Sequence, residues 1–231
     1  MRIVNWNCNG AFRRKVHLLD KYEADVLVVQ ECENPKGIEI SFGCWAENYL
    51  WIGDNKNRGL AVFSNLKTPL IALEWEDNGL ELFLPCQIDD RVKMVAVWTK
   101  NPRGTKFPYI GQLWNYLQLN ECKIKGNEFI ICGDLNSNSK WDKRGRIWNH
   151  SNVVNNLLNM EMVSIYHSKR NEKQGQEKES TLYLQRNIKK PHYVDYAFLS
   201  SSIYNDNCKI QIGLFEEWIP HSDHMPVIFE F

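Results

Sequence analysis

Short apolar runs that stop abruptly at polar side chains dominate the chain. They predict strands over 3–7, 26–30, 49–52, 60–64, 70–75, 81–85, 93–98, 128–132, 194–199, 208–212 and 226–231. Several alternate apolar and polar residues, as strands with one wet face do; others, such as 26–29 and 129–132, are continuously apolar. Helical spacing shows in three places. A helix is predicted over 13–22, after the Asn9-Gly10 turn. A second, over 108–122, has Pro108 in its first turn and Ile110, Leu113, Trp114 and Leu117 on one stripe, a core face. A third, over 151–160, opens with Ser151 as N-cap and carries Val153, Val154, Leu157 and Leu158. Many strands with few helices predict two sheets packed face to face, with helices on the outer faces. Residues 168–180 are polar, charged and without apolar period, and predict a mobile loop.

Composition narrows the class. The 231 residues, 43% hydrophobic and 24% charged, suit one domain over 1–231 with a packed core. Twenty-eight basic side chains balance twenty-eight acidic ones, so any polyanion contact must come from local patches. The seven cysteines are odd in number and form no CxxC, which fits reduced thiols used as small apolar groups. No run of eighteen apolar residues occurs, and a strand begins almost at once; a cytoplasmic, monomeric protein without membrane contact is expected.

The chemistry gathers at strand ends. Ile130-Ile131-Cys132-Gly133-Asp134-Leu135-Asn136 delivers an acid and an amide two residues apart, hence on one side, suited to orienting a water beside a phosphate and a hard cation. Val4 to Gly10 ends a strand in an Asn-Gly turn, where Asn7 offers a neutral carbonyl oxygen. Val26 to Glu31 ends in a carboxylate. Asn7 and Glu31 together make an oxygen set suited to Mg²⁺ or Mn²⁺, and zinc spacing is absent. His192 to Phe198 presents Asp195, and Ser222-Asp223-His224 precedes the last strand. His224 titrates near neutrality and donates well to a phosphate oxygen; a carboxylate such as Asp195 would fix its tautomer.

The ordered set WNxNG, QE, GDLN, VDY and SDH spans residues 6 to 224. In it the chain resembles the endonuclease/exonuclease/phosphatase superfamily, and most of all its exonuclease III and apurinic endonuclease branch. That resemblance implies an α+β fold of deoxyribonuclease I type: a four-layer αββα sandwich, two mostly antiparallel sheets flanked by helices. It implies Asn7 and Glu31 at the metal with Asp223 as a further or outer ligand. It implies Asp134 as the residue that activates water, Asn136 and Asn101 at the phosphate, and the Asp195–His224 pair stabilising the transition state. One position departs. Relatives usually carry tyrosine or histidine where Trp98 stands, and an indole has only an N–H donor. Either the metal assists the leaving group, or Lys100 does, or the reaction is slow.

Two locally basic segments bear on the substrate. Residues 139–150 hold Lys140, Lys143, Arg144 and Arg146 with Trp141 and Trp148; residues 185–192 hold Arg186, Lys189, Lys190 and His192 without an acid. Cations interleaved with aromatics suit a phosphate backbone and stacked bases, with Trp98, Lys100, Arg144, Arg146, Trp148 and Arg186 as contacts. The expectation is a Mg²⁺- or Mn²⁺-dependent hydrolase of nucleic acid, DNA first. The alternatives are a phosphatase or phosphodiesterase for a small or lipid-linked phosphate, and an inactive nucleic-acid-binding module.

Overall fold

The computed structural model describes residues 1–102 and 104–231. In chain order come β1 (Arg2–Asn7), β2 (Val26–Cys32), β3 (Tyr49–Asn55) and β4 (Arg58–Ser64). Then follow β5 (Ile71–Ala72), β6 (Phe83–Gln87), β7 (Lys93–Trp98), α1 (Ile110–Ile124), β8 (Phe129–Asp134), α2 (His150–Asn159), β9 (Met162–Ser164) and α3 (Ile165–Arg170). The last are β10 (Leu182–Tyr183), β11 (Pro191–His192), β12 (Asp195–Ser200), β13 (Lys209–Ile212), α4 (Phe215–Trp218) and β14 (Val227–Glu230).

Two six-stranded sheets form, in the orders β13-β14-β1-β2-β4-β3 and β5-β6-β7-β8-β12-β9, with β10 and β11 as a separate hairpin. They face each other, β1 and β2 against β8, β4 against β7, and β12 against β14. Apolar side chains on the facing surfaces make the core, and aromatic layers cover the backs. Trp6, Phe12, Phe42, Phe63 and Trp218 cluster behind the first sheet; Phe83 stacks on Tyr116 of α1 at 4.4 Å behind the second. The α+β sandwich expected from the sequence is the observed fold.

The topology places the site. Each sheet is antiparallel except for one parallel pair, β1 with β2 and β7 with β8. Parallel neighbours end at the same rim, so Asn7, Glu31, Trp98 and Asp134 emerge together. Antiparallel β12 and β14 begin at that rim, with Asp195 in register with Asp134 and Val227 with Asn5. Gly133 makes the β7–β8 approach possible, because a Cβ there would collide with the Val97 carbonyl.

Several local expectations change, among them the N-cap of α2, which is Asn149 rather than Ser151, and the strand predicted over 70–75, which is only Ile71–Ala72. The helix predicted over 13–22 is two 3₁₀ turns, Phe12–Arg14 and Val16–Tyr22, broken at Lys15. The Lys15 ammonium donates to the carbonyls of Cys8 (2.6 Å) and His221 (2.8 Å), tying two loops of the rim together instead of continuing a helix. The helix predicted from 108 begins at Ile110, because Tyr109 holds φ 50° and ψ −119°. The polar stretch 168–180 is fastened down rather than projecting: α3 takes its start, and the Glu177 side chain is buried against His167 and Asn138. The cysteines are unpaired, and all but Cys44 and Cys122 are buried. Among the described residues no helix is long and apolar enough to cross a membrane.

Candidate active site

Asp134 is the centre of the rim. It is fully buried at the end of β8, and its carboxylate is held from three sides. Oδ2 accepts from Nδ2 of Asn7 and from Nδ2 of Asn136, both at 3.0 Å, and Oδ1 accepts from the Asn136 backbone N–H at 2.9 Å. Asn136 reaches back because its backbone is left-handed, φ 44°. Burial, with the Asp195 charge adding to it, raises the Asp134 pKa well above the carboxylate range. A carboxylate so placed is a stronger base than an exposed aspartate.

His224 closes the other flank. Its Nδ1 lies 2.9 Å from Asp195 Oδ2, and its Nε2 lies 3.9 Å from Asp134 Oδ2. Burial works to lower the histidine pKa, but the carboxylates of Asp195 and Asp134 outweigh it and raise it. The ring is therefore a charged donor. Its loop is pinned to β1: Ser222 Oγ donates to the Asn7 carbonyl at 2.7 Å, His224 N donates to Ser222 Oγ at 3.0 Å, and Trp6 Nε1 donates to the His224 carbonyl at 2.9 Å. The serine of Ser222-Asp223-His224 is thus the fastener.

Glu31 owes its direction to a bulge. The β2–β4 register shifts between Gln30 and Cys32, and Glu31 is the extra residue at φ 58°. A left-handed backbone at such a residue costs about 1–3 kcal/mol. It turns the carboxylate towards Asn7, with Oε1 3.5 Å from Asn7 Nδ2. Glu31 Oε2 is buried without a hydrogen bond, although Arg58 Nη1 stands 3.1 Å away as an ion-pair partner. The Asn7 amide points otherwise than expected: its nitrogen faces Asp134, and its Oδ1 accepts from Asn9 N at 3.1 Å. One lone pair of that oxygen remains free.

The Glu31 oxygen that makes no hydrogen bond and meets only the Arg58 cation, together with the oxygen donor set, fits a hard divalent cation. Asp134, Asp195 and His224 also lie close enough to hold a metal, with ligand atoms within 4.8 Å of one another. With Nδ1 of His224 committed to Asp195, Nε2 is the ring nitrogen left to face the cleft.

A cleft of about 630 Å³ opens over these groups, lined among others by Asn7, Glu31, Trp98, Lys100, Asn101, Asp134, Asn136 and His224. Asp54, Glu81 and Tyr109 join the lining without any motif in the sequence to mark them. Six of the expected site residues stand outside that lining, the first of them Asp195, which is buried behind His224. Asp223 is half-exposed beside His224 and receives the Tyr183 N–H at its carbonyl. Arg144 is exposed. Arg146 stacks on Trp148 at 4.4 Å, and Trp148 packs near Phe107 at the start of α1. Arg186 donates to the Pro220 carbonyl at 3.2 Å.

Comparison with known proteins agrees with this fold. The model of the Endonuclease/Exonuclease/phosphatase family matches residues 4–214. No curated protein matches the sequence. Among solved structures, a 3'-5' exonuclease from Neisseria meningitidis is similar at 17% identity and TM-score 0.70, over 100% of this chain and 99% of that one. A structure of a 3' phosphatase from Neisseria bound to a product DNA hairpin gives 17% and 0.71 over the same shares. An AP endonuclease from Archaeoglobus fulgidus gives 17% and 0.69, again over 100% and 99%. At this identity the likeness speaks for the fold.

Proposed function

The chain belongs to the endonuclease/exonuclease/phosphatase family, whose members hydrolyse phosphoester bonds, and we propose that it is a divalent-metal-dependent phosphodiesterase acting on nucleic acid, DNA first. The observation that carries this reading is the buried Asp134 carboxylate, held by Asn7 and Asn136 and facing the charged His224–Asp195 pair across one open cleft. The catalytic unit in this reading is one monomeric domain over 1–231.

In this mechanism Asp134 orients the attacking water and takes its proton, work worth about 10²- to 10⁴-fold in rate. The imidazolium of His224 donates to the phosphate oxygen on which charge develops, and Asp195 keeps that ring charged and in place. Asn136, beside the phosphate, spends both Nδ2 hydrogens on the Thr99 carbonyl at 3.0 Å and on Asp134 and so holds the Asp134 carboxylate in place; Asn101 is the amide donor to the phosphate. Glu31 and Asn7 would hold Mg²⁺ or Mn²⁺, with Asp223 as an outer partner. When bound, the cation offsets the charge gathering on the phosphate. The Arg146–Trp148 stack, Arg144 and Arg186 stand beyond the cleft, where a longer polyanion would pass.

The test is incubation with supercoiled plasmid, an abasic-site duplex, a 3'-phosphorylated strand and small phosphate monoesters, each with Mg²⁺, Mn²⁺ or EDTA. Metal-dependent cleavage or end-trimming of DNA supports the reading. Turnover of the small esters alone replaces it with a phosphatase, and DNA retention without turnover replaces it with a binding module.

A further inference from the structure

We propose that Trp98 and Lys100 act as one unit: the indole face seats the Lys100 ammonium in the cleft, where it protonates the leaving oxygen of the scissile ester. The proposal rests on the hydrolase reading above and fills a task which that reading leaves open. When water adds to phosphorus, the P–O bond to the sugar breaks and its electron pair goes to the departing oxygen. An alkoxide is a strong base, so a cationic donor beside it lowers the barrier. Asn7, Asn136 and His224 all crowd around Asp134, where the water is activated. Strand β8 stands between β12 and β7. Asp195 therefore supports His224 from the β12 side, and Lys100 enters from the opposite flank.

Lys100 is held at its backbone and over the indole. Its Nζ lies 4.2 Å from the centroid of Trp98, which is 6% exposed and in register with Asp134. The face of tryptophan is the best aromatic seat for an ammonium. The Lys100 N–H donates to Oε1 of the buried Gln112 at 2.9 Å, and its carbonyl accepts from the Tyr109 N–H at 2.7 Å. Tyr109 holds φ 50° and ψ −119°, a conformation that side-chain-bearing residues avoid. That conformation accompanies the clip on Lys100. Next door, Asn136 Nδ2 binds the Thr99 carbonyl, so the Asp134 loop and the Lys100 strap share a bond. A lysine restrained in this way gives up less freedom when it meets a phosphoester than a solvated one. In the step itself, the water proton passes to Asp134 and from there to solvent, the leaving oxygen takes a proton from the ammonium, and solvent returns one to Lys100.

A leaving-group comparison tests this. Bis(4-nitrophenyl) phosphate expels a stabilised phenolate that needs no proton; a short DNA strand expels a sugar alkoxide. Lys100→Met should slow cleavage of the strand by about 10²-fold, the scale of one lost transition-state donor, and leave the nitrophenyl ester within roughly three-fold. Trp98→Leu, which removes only the seat, should show the same selectivity at about ten-fold, and Trp98→Phe should recover most of it. Equal losses on both substrates, or no loss on the strand, would overturn the proposal while leaving the hydrolase reading intact. Wild-type protein inert towards both substrates with Mg²⁺ and Mn²⁺ would overturn that reading and this proposal together.

Discussion

Two buried polar clusters hang from the same two strands and have opposite characters. One is the Asp134–His224–Asp195 group with Asn136. The other begins two residues beyond Asn136, at Asn138, and one residue beyond Asp195, at Tyr196, and takes in His150, His167, Gln174 and Glu177. In the second, nearly every polar atom has a protein partner. Asn138 Nδ2 is surrounded by Glu177 Oε2, the Tyr193 carbonyl and the Tyr196 hydroxyl at 3.1–3.3 Å. His150 spends its two nitrogens on Ser137 and Gln174, and Glu177 accepts from His167 and Gly175. In the first cluster, Asp195 Oδ1 and Glu31 Oε2 are buried without a hydrogen bond, and the backbones of Glu31 and Asn136 are left-handed. A closed network stabilises; an open one under strain, facing a cleft, is poised for a ligand. Burial and polarity alone do not separate them. Unspent hydrogen-bonding capacity does.

The sharpest break of that comparison is in activity. Asp134→Asn should lose about 10³-fold or more in turnover, while the melting temperature holds or rises, because a buried carboxylate beside another carboxylate is removed. Asn138→Leu should do the reverse. It strands Glu177 and the Tyr193 carbonyl and should cost about 1–3 kcal/mol in denaturant unfolding, with turnover per folded molecule nearly unchanged.

Acid separates the clusters differently. Burial holds the His150 pKa down at about 4, against 6.5 ordinarily. The unfolded chain takes that proton near pH 6.5 and the folded one only near 4, so stability should fall by about 3 kcal/mol between those values as pH drops, and His150→Gln should flatten the slope. Below that window Glu177 takes over. Burial alone would raise its pKa, but His167, the Gly175 N–H and Asn138 outweigh it and bring it to about 2, so its contribution is present above pH 4.5 and lost as pH falls towards 2. The smallest effect belongs to Arg58. Removing this half-exposed cation 3.1 Å from Glu31, as Arg58→Gln, should tighten Mn²⁺ binding by roughly three-fold in calorimetric titration.

What the sequence made legible follows from this contrast. The strand ends carrying Asn7, Glu31, Asp134, Asp195 and His224 were readable because an apolar run stopping at an oxygen-bearing side chain is a local pattern, and parallel pairing gathers such ends. The anchoring of the polar stretch 168–180 is not legible in the sequence, because its anchors, His167 and Asn138, meet Glu177 only in the folded chain. Arg58 and Tyr109 carried no signal: one is an ordinary turn arginine, and the strain of the other is a backbone property. Arg144, Arg146, Trp148 and Arg186 were grouped by charge and aromatic content, which say nothing of distance from the cleft.

Hydrolysis of a DNA strand in ¹⁸O-labelled water, with Mn²⁺ and under single-turnover conditions, addresses the central claim most directly. One labelled oxygen should appear on the phosphate product of the wild-type protein, and the labelled product should all but vanish with Asp134→Asn. Label missing from the phosphate, or undiminished labelled product from the variant, would contradict the account.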